Sequence, residues 1–121
     1  MNEHDVLHWV DAYEVAWANN DPDHIRALFT EDATYRTAPF REPWTGQDEI
    51  VSKWLEQKDE PGTWDFDEKV IGISDDVAFV QGETVYLEPN SKTYYNLWVI
   101  RLDDDGRCRE FTEWWMVVPG E

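Results

Sequence analysis

The sequence is poor in cysteine, in basic residues and in long apolar runs. Its single cysteine, Cys108, cannot form an internal disulfide, and such sparing use is typical of a cytoplasmic protein. Only 10 basic residues stand against 27 acidic ones, and the formal charge of −17 repels phosphate backbones and anionic lipid. No apolar run approaches the ~20 residues of a membrane-spanning helix. The first residues lack the basic segment of a secretory signal. We therefore expect no nucleic acid partner, no membrane partner and a cytoplasmic location.

Aromatic residues are abundant by contrast. They make up 15% of the 121 residues, and eight of them are tryptophans, which is not the composition of a disordered chain. The length suffices for a buried core, so we interpret residues 1–121 as a single domain. Tryptophan and tyrosine also carry N–H and O–H groups that need partners when buried. A chain rich in both often builds an amphipathic cavity, although core packing is the commoner role for any one of them.

Apolar periodicity predicts three helices in the first half of the chain. Apolar residues at intervals of three and four over residues 6–17 form one stripe, on a helix that should end near residues 19–20. Asp21 as N-cap and Pro22 in the first turn are a start signal for a second helix. A third helix is expected from Gln47 to about Lys58.

The second half of the chain has the period of strands. Four are predicted, over residues 63–74, 77–88, 93–103 and 107–118, and short turns between them indicate an antiparallel meander. Residues 32–37 could pair as an earlier strand, but the prolines of residues 39–46 predict an irregular loop after it. Helices followed by a run of strands indicate an α+β domain, with the helices covering one face of a curved sheet.

The strand segment at residues 93–102 is apolar on both of its faces. One register contains Trp98 and Ile100, and the other contains Tyr95, Leu97 and Val99. Helices can cover only one of these faces, and an antiparallel sheet usually exposes polar residues on the other. A second subunit is the simplest cover for the remaining apolar face. We therefore predict a homodimer through the outer sheet face.

The order of these elements resembles the nuclear transport factor 2-like superfamily, and more closely its SnoaL-like and ketosteroid isomerase-like branch. The resemblance covers essentially the whole chain, and the segments that carry it are AYEVAWANNDPDHIRALFTEDATY (12–35), PFREPWTGQDEIVSKW (39–54) and RLDDDGRCREFTEWW (101–115). It implies a cone-shaped, cystatin-like α+β fold in which three N-terminal helices pack on a curved antiparallel sheet around a pocket, often in a homodimer. The superfamily includes isomerases, cyclases, dehydratases, epoxide hydrolases and non-catalytic binding modules, so the fold does not fix a reaction.

The resemblance allows a residue-by-residue comparison with ketosteroid isomerases, which use a carboxylate base and two oxyanion donors. Tyr13 matches the helix-1 tyrosine that serves as one donor, and Trp98 stands in the place of the other. Thr37 and Ala38 occupy the place of the base, and neither can remove a carbon-bound proton. The indole of Trp98 can donate a hydrogen bond but cannot transfer a proton. Ketosteroid isomerisation by the usual arrangement is therefore not expected.

The last predicted strand offers a different acid. Its alternation places Phe111, Glu113 and Trp115 on one face of the strand. The family resemblance implies that this face points into the pocket. Burial between two aromatic rings would raise the pKa of Glu113 and make it a general acid or base near neutral pH. SnoaL-type cyclases likewise use an acidic residue in the pocket.

Two alternatives stay open for Glu113. It could form an ion pair with Arg36, Arg101 or Arg109 that only satisfies a buried charge. The strand could also have the opposite register, in which Trp114 faces inward and Glu113 faces solvent.

Two functions are consistent with these residues. The first is cofactor-independent acid–base catalysis, of the isomerase, cyclase, dehydratase or hydrolase type, on an apolar cyclic metabolite, with Glu113 and Tyr13 as catalytic residues. The second is a non-catalytic ligand-binding or dimerisation module.

No cofactor is expected, and no metal either, because His4 and His8 lack a third ligand. The residues expected to bind the apolar ligand are Trp98, Trp115, Phe111, Trp44, Trp54, Phe40, Phe79, Trp17 and Tyr35. Of these, Phe40 and Trp44 either face the ligand or plug the wide end of the cone.

Overall fold

A computed structural model describes residues 1–120 of the chain. Its elements are α1 (Glu3–Asn19), α2 (Pro22–Ala27), β1 (Phe29–Arg36), β2 (Trp44–Thr45), α3 (Gln47–Glu56), β3 (Trp64–Ser74), β4 (Val77–Tyr86), β5 (Lys92–Leu102) and β6 (Cys108–Val117). The three predicted helices and the four predicted late strands are confirmed, with small displacements at their ends. None of the helices in the described residues is long and apolar enough to cross a membrane.

Local side-chain caps fix where the first two helices begin. Asn2 and Asp5 exchange hydrogen bonds at 2.9 Å, each side chain accepting from the backbone N–H of the other, which is a capping box at the start of α1. Asn20 ends α1 in the left-handed region, with φ of 54°. Asp21 accepts the N–H of Asp23 at 2.8 Å, so the predicted start of α2 is confirmed.

The six strands form one sheet in the order β2-β1-β6-β5-β4-β3. Strands β3 to β6 are the predicted antiparallel meander, and β1 pairs in parallel with β6. The prediction of an irregular loop over residues 39–46 is wrong in its second half, because β2 returns to β1 and pairs Trp44 with Tyr35. Pro43 lies just before this pair, so the missing N–H of the proline does not interrupt the ladder.

The helices cover one face of the sheet, and nothing else in residues 1–120 covers the other. On β5 the buried register contains Asn96, Trp98 and Ile100, and the last two belong to the same core cluster as the apolar stripe of α1. The opposite face exposes Tyr95, Trp114 and Met116, with 54%, 51% and 69% of their surface accessible. These are the residues that a homodimer through the outer face would cover, and that assembly stays a prediction.

Candidate functional site

A cavity of about 320 Å³ lies between the helices and the covered face of the sheet. Its size falls at the lower end of the ~300–1,000 Å³ of small-molecule sites. Eight of the residues predicted from the sequence lie on its wall: Tyr13, Trp17, Tyr35, Trp44, Trp54, Trp98, Glu113 and Trp115. Residues from α1, α3 and four strands thus converge on one space.

Two predicted ligand-binding residues lie near the cavity without lining it. Phe111 is fully buried behind the wall, with its ring centroid 4.5 Å from that of Tyr35 and stacked on it. It supports the wall and does not face a ligand. Phe40 is 81% exposed, and the guanidinium of Arg41 lies 5.6 Å from its ring centroid. Phe40 therefore neither faces the cavity nor plugs the cone, whereas Trp44 lies on the wall.

The prediction that Phe79 binds the ligand is wrong, because this residue lies on the outer face of the sheet. On β4 it alternates with Ala78 and Val80, whose side chains are buried under the helices, and it pairs with Val99 of the outer register. The strand is apolar on both faces, so its composition did not reveal which register points inward.

Glu113 lies on the inward face of β6, directly opposite Trp98 of β5. Its Oε2 accepts two hydrogen bonds, from Asn96 Nδ2 at 2.6 Å and from Trp98 Nε1 at 3.1 Å. Burial raises the pKa of Glu113, and these two donors lower it without cancelling the effect of burial. The alternative register is not what the structure shows, because Trp114 faces outward opposite Leu97.

The ion pair considered for Glu113 is also absent from the described part of the chain. Arg101 and Arg109 both bind Asp76 at the far end of the sheet, and Arg36 donates to a backbone carbonyl group. Glu113 is therefore hydrogen-bonded by the neutral donors of Asn96 and Trp98, and its charge is not balanced by an arginine in residues 1–120.

Two polar residues that sequence reasoning missed hold Glu113 in place. Thr84 Oγ1 on β4 donates to Asn96 Oδ1 on β5 at 2.8 Å, and both side chains are buried. Because the hydroxyl group donates to Oδ1, the amide nitrogen of Asn96 faces Glu113. The available signal was the position of Asn96 in the inward register of an otherwise apolar strand.

Tyr13 and Tyr35 form a second polar pair on the wall. Their hydroxyl oxygens are 2.7 Å apart, and both residues are buried. Burial is the main cause that raises the pKa of each tyrosine, so both keep their protons at neutral pH. One hydroxyl donates to the other, which leaves one proton for a ligand oxygen. The expected partner of Tyr13 was Trp98, but the indole N–H of Trp98 is used by Glu113.

A second carboxylate, Asp59, also reaches the cavity and was not predicted. Its Oδ2 accepts from Trp17 Nε1 and from the hydroxyl of Tyr86, both at 2.9 Å. Asp59 lies between α3 and β3, where the sequence shows no periodic pattern. Its negative charge contributes to the raised pKa of Glu113.

Comparison with known proteins identifies relatives of this fold. A family model described as the SnoaL-like domain matches residues 9–111. An NTF-2 like protein of unknown function from Burkholderia xenovorans LB400 superposes with a TM-score of 0.74 and 16% identity, over 100% of this chain and 89% of its own. A ketosteroid isomerase-like protein from Erwinia carotovora atroseptica SCRI1043 superposes with a TM-score of 0.68 and 20% identity, over 96% of this chain and 98% of its own. No match was found among curated proteins.

An LEH-like epoxide hydrolase from M. tuberculosis shares the same fold, with a TM-score of 0.65 and 18% identity over 93% of this chain and 84% of its own. At such identities the likeness to solved structures shows the fold alone. The predicted cone-shaped α+β fold of the nuclear transport factor 2-like type is therefore confirmed.

Proposed function

The chain belongs to the SnoaL-like domain family, a small-molecule-binding family, and we propose that it catalyses proton transfer on an apolar cyclic metabolite without a cofactor. Glu113 is the acid and base of this proposal. The observation that carries it is the unequal environment of the two oxygens of this carboxyl group. Oε2 accepts two N–H donors, whereas Oε1 accepts none within residues 1–120 and is not sealed inside the protein.

This asymmetry determines which oxygen exchanges a proton. The lone pairs of Oε2 are directed at Asn96 and Trp98, so a proton on the carboxyl group resides on Oε1. In the ionised state the same two donors stabilise the carboxylate. Burial raises the pKa of Glu113 above its ordinary value, which brings the neutral form closer to the working pH range of a general acid–base group.

The step we propose is the transfer of a proton beside a carbonyl group. Oε1 of the ionised Glu113 removes a proton from the carbon next to the carbonyl, and the C–H electron pair forms an enolate. The free hydroxyl proton of the Tyr13–Tyr35 pair donates a hydrogen bond to the enolate oxygen. Where the substrate has a C=C bond at the β,γ position, this enolate is a dienolate: Glu113 returns its proton to the γ-carbon, the C=C bond shifts to the α,β position, and no oxidant or reductant is consumed.

Hydrogen–deuterium exchange tests this proposal without knowledge of the natural substrate. Cyclic ketones and enones are incubated with the protein in D₂O, and loss of their α-proton signals is followed by NMR. We expect exchange with the unaltered chain, loss of exchange in Glu113→Gln, and no loss in the control Glu110→Gln. Glu110 is exposed and lies on the opposite face of β6. Equal exchange in all three proteins would contradict the proposal.

A non-catalytic binding role is the second candidate, and one observation favours it. Oε2 of Glu113 is already bound by Asn96, and Thr84 binds Asn96 in turn, so this side of the carboxyl group belongs to a chain of hydrogen bonds. Such a network can also serve only to orient a bound ligand. Saturable ligand binding in the absence of any exchange would favour this second candidate.

A further inference from the structure

Positive charge is scarce in this protein, and two of the basic residues that lack a carboxylate partner in residues 1–120 lie at the cavity. The chain has 10 basic residues against 27 acidic ones. Five of the basic residues lie within ion-pair distance of a carboxylate: Arg26, Lys53, Arg101, Arg107 and Arg109. The other five have no such partner in residues 1–120, and two of them, Arg41 and Lys58, line the cavity. Acidic partners are abundant, so two unpaired cations at one cavity need an explanation.

The two cations come from separate loops. Arg41 lies between β1 and β2, and Lys58 follows the end of α3. The backbone of Arg41 is held by two hydrogen bonds, because its N–H donates to Ala38 O at 3.1 Å and its carbonyl accepts from Arg36 Nη1 at 2.7 Å. Within residues 1–120 its guanidinium donates one hydrogen bond, to Thr37 Oγ1 at 3.1 Å. Most of the donors of Arg41 therefore remain available to a ligand.

The acids of the cavity do not neutralise these cations. Asp59 follows Lys58 in the sequence, but its Oδ2 binds Trp17 and Tyr86 and lies beyond ion-pair distance of the lysine. Oε2 of Glu113 binds the neutral donors of Asn96 and Trp98, and within residues 1–120 Glu113 forms no ion pair with either cation. Arg41 and Lys58 therefore reach the cavity without an ion-pair partner in the described residues, on a protein whose formal net charge is −17.

We propose that the ligand is an organic anion: an apolar cyclic body with a carboxylate group that Arg41 and Lys58 bind. The planar guanidinium of Arg41 can bind a carboxylate with two parallel N–H···O bonds, and Lys58 adds a second positive charge. The cyclic body lies against Trp44 and Trp54 and reaches Glu113. This inference deepens the proposed function and rests on its premise that the cavity binds a small molecule.

The long-range electrostatic field of the protein repels anions, so a preference for the carboxylate has to arise at the site itself. A net negative charge attracts cations and repels anions over distances of the order of the Debye length, ~8 Å at physiological ionic strength. If the overall field controlled binding, an amine would bind best among ligands of one shape. A preference for the carboxylate therefore has to come from local cations.

The test uses the full chain and matched probes. Cyclohexane-, phenyl- and naphthalene-acetic acids are compared with their neutral amides and with the corresponding amines. Affinity is measured by calorimetry, and indole N–H signals in ¹H–¹⁵N spectra report occupancy of the cavity. We expect at least one carboxylate to bind 10-fold or more tightly than its amide. Arg41→Gln and Lys58→Gln should reduce that ratio towards one, whereas Lys69→Gln, which removes an exposed cation of β3 outside the cavity, should leave it unchanged.

Each other outcome overturns the inference in a recognisable way. Equal binding of carboxylate and amide, with cavity indole signals shifted, would refute the anion preference and leave the proposed function intact. An equal loss of affinity for both probes in the Arg41 and Lys58 variants would show that these residues only shape the cavity. Binding of no probe by the unaltered chain would overturn the inference, whereas the proposed function falls only if the deuterium exchange of ketones and enones also fails.

Discussion

Trp98 and Glu113 face each other across the β5–β6 pair, and the indole N–H donates to the carboxyl group at 3.1 Å. The resemblance to ketosteroid isomerases suggested that this N–H would bind a substrate oxygen. In this chain it binds the acid itself, so the donor tunes the proton-transfer group and leaves ligand oxygens to the Tyr13–Tyr35 pair.

Removing this donor should raise the pKa of Glu113. Trp98→Phe keeps an aromatic ring in the core but deletes the N–H that stabilises the carboxylate, and a charge-assisted hydrogen bond of ~1.5 kcal/mol corresponds to about one pH unit. The pH profile of catalysed exchange should move upward by that amount. Trp64→Phe is the matched control, because Trp64 Nε1 has no hydrogen-bond partner within residues 1–120. A profile that moves equally in both variants would contradict this role.

Thr84 should act on Glu113 through Asn96. Thr84→Val preserves the shape of the side chain but removes the hydroxyl that orients the amide, and it leaves Asn96 Oδ1 unsatisfied. We expect the free energy of unfolding to fall by ~1–2 kcal/mol and the pKa of Glu113 to rise, because the Asn96 N–H is no longer held against it. Thr84→Ser retains the hydroxyl and should restore both values. A Ser variant that behaves like the Val variant would exclude the orienting role.

A separate acidic group should make stability depend on pH. Burial raises the pKa of Glu14 to about 7, and the nearby carboxylates of Glu68 and Asp11 add to the effect. A carboxyl group whose pKa is higher when folded stabilises the protein below its unfolded pKa, and that stability is lost as the pH rises through 7. Glu14→Gln should therefore increase the free energy of unfolding by ~1 kcal/mol at pH 8, after allowance for solvent screening, and change it little at pH 4.

Denaturant unfolding at both pH values checks the Glu14 prediction. The exposed Glu31 of β1 provides the control, since Glu31→Gln should leave the pH dependence as it is. A Glu14→Gln protein that gains no stability at pH 8 would show that Glu14 is not held close to Glu68 and Asp11 in solution.

The outer face of the sheet should mediate the proposed homodimer. Trp114 and Met116 are exposed there on β6, beside Tyr95 of β5. Met116→Asp would place a charge in the centre of this apolar patch and should convert a dimer into a monomer in sedimentation velocity. An unaltered chain with a monomer mass at every concentration would refute the dimer.

Local signals were sufficient to predict most of the fold. Asp21 and Pro22 define a helix start through their own backbone preferences, and turn residues with period-two alternation predict strands without knowledge of their partners. The two-residue strand β2 was missed because it is too short for a periodic signal and lies next to Pro43.

The site was less predictable, because it depends on strand register and on contacts between distant segments. The alternation of β6 placed Glu113 beside aromatic residues, but the sequence could not show that Asn96 and Thr84 support it from neighbouring strands. Phe79 was misplaced because both faces of β4 carry apolar residues. Asp59 lies in a loop whose path is determined by the packing of α3 and β3 around it.

The most direct measurement is the titration of Glu113 itself. Carboxyl ¹³C signals of labelled glutamate are followed against pH, and Glu113→Gln identifies the resonance. We predict a pKa clearly above the ordinary 4.5, because burial outweighs the Asn96 and Trp98 donors. A value at or below 4.5 would mean that the carboxyl group is solvated or paired with a cation, and the proposed proton transfer would then be wrong.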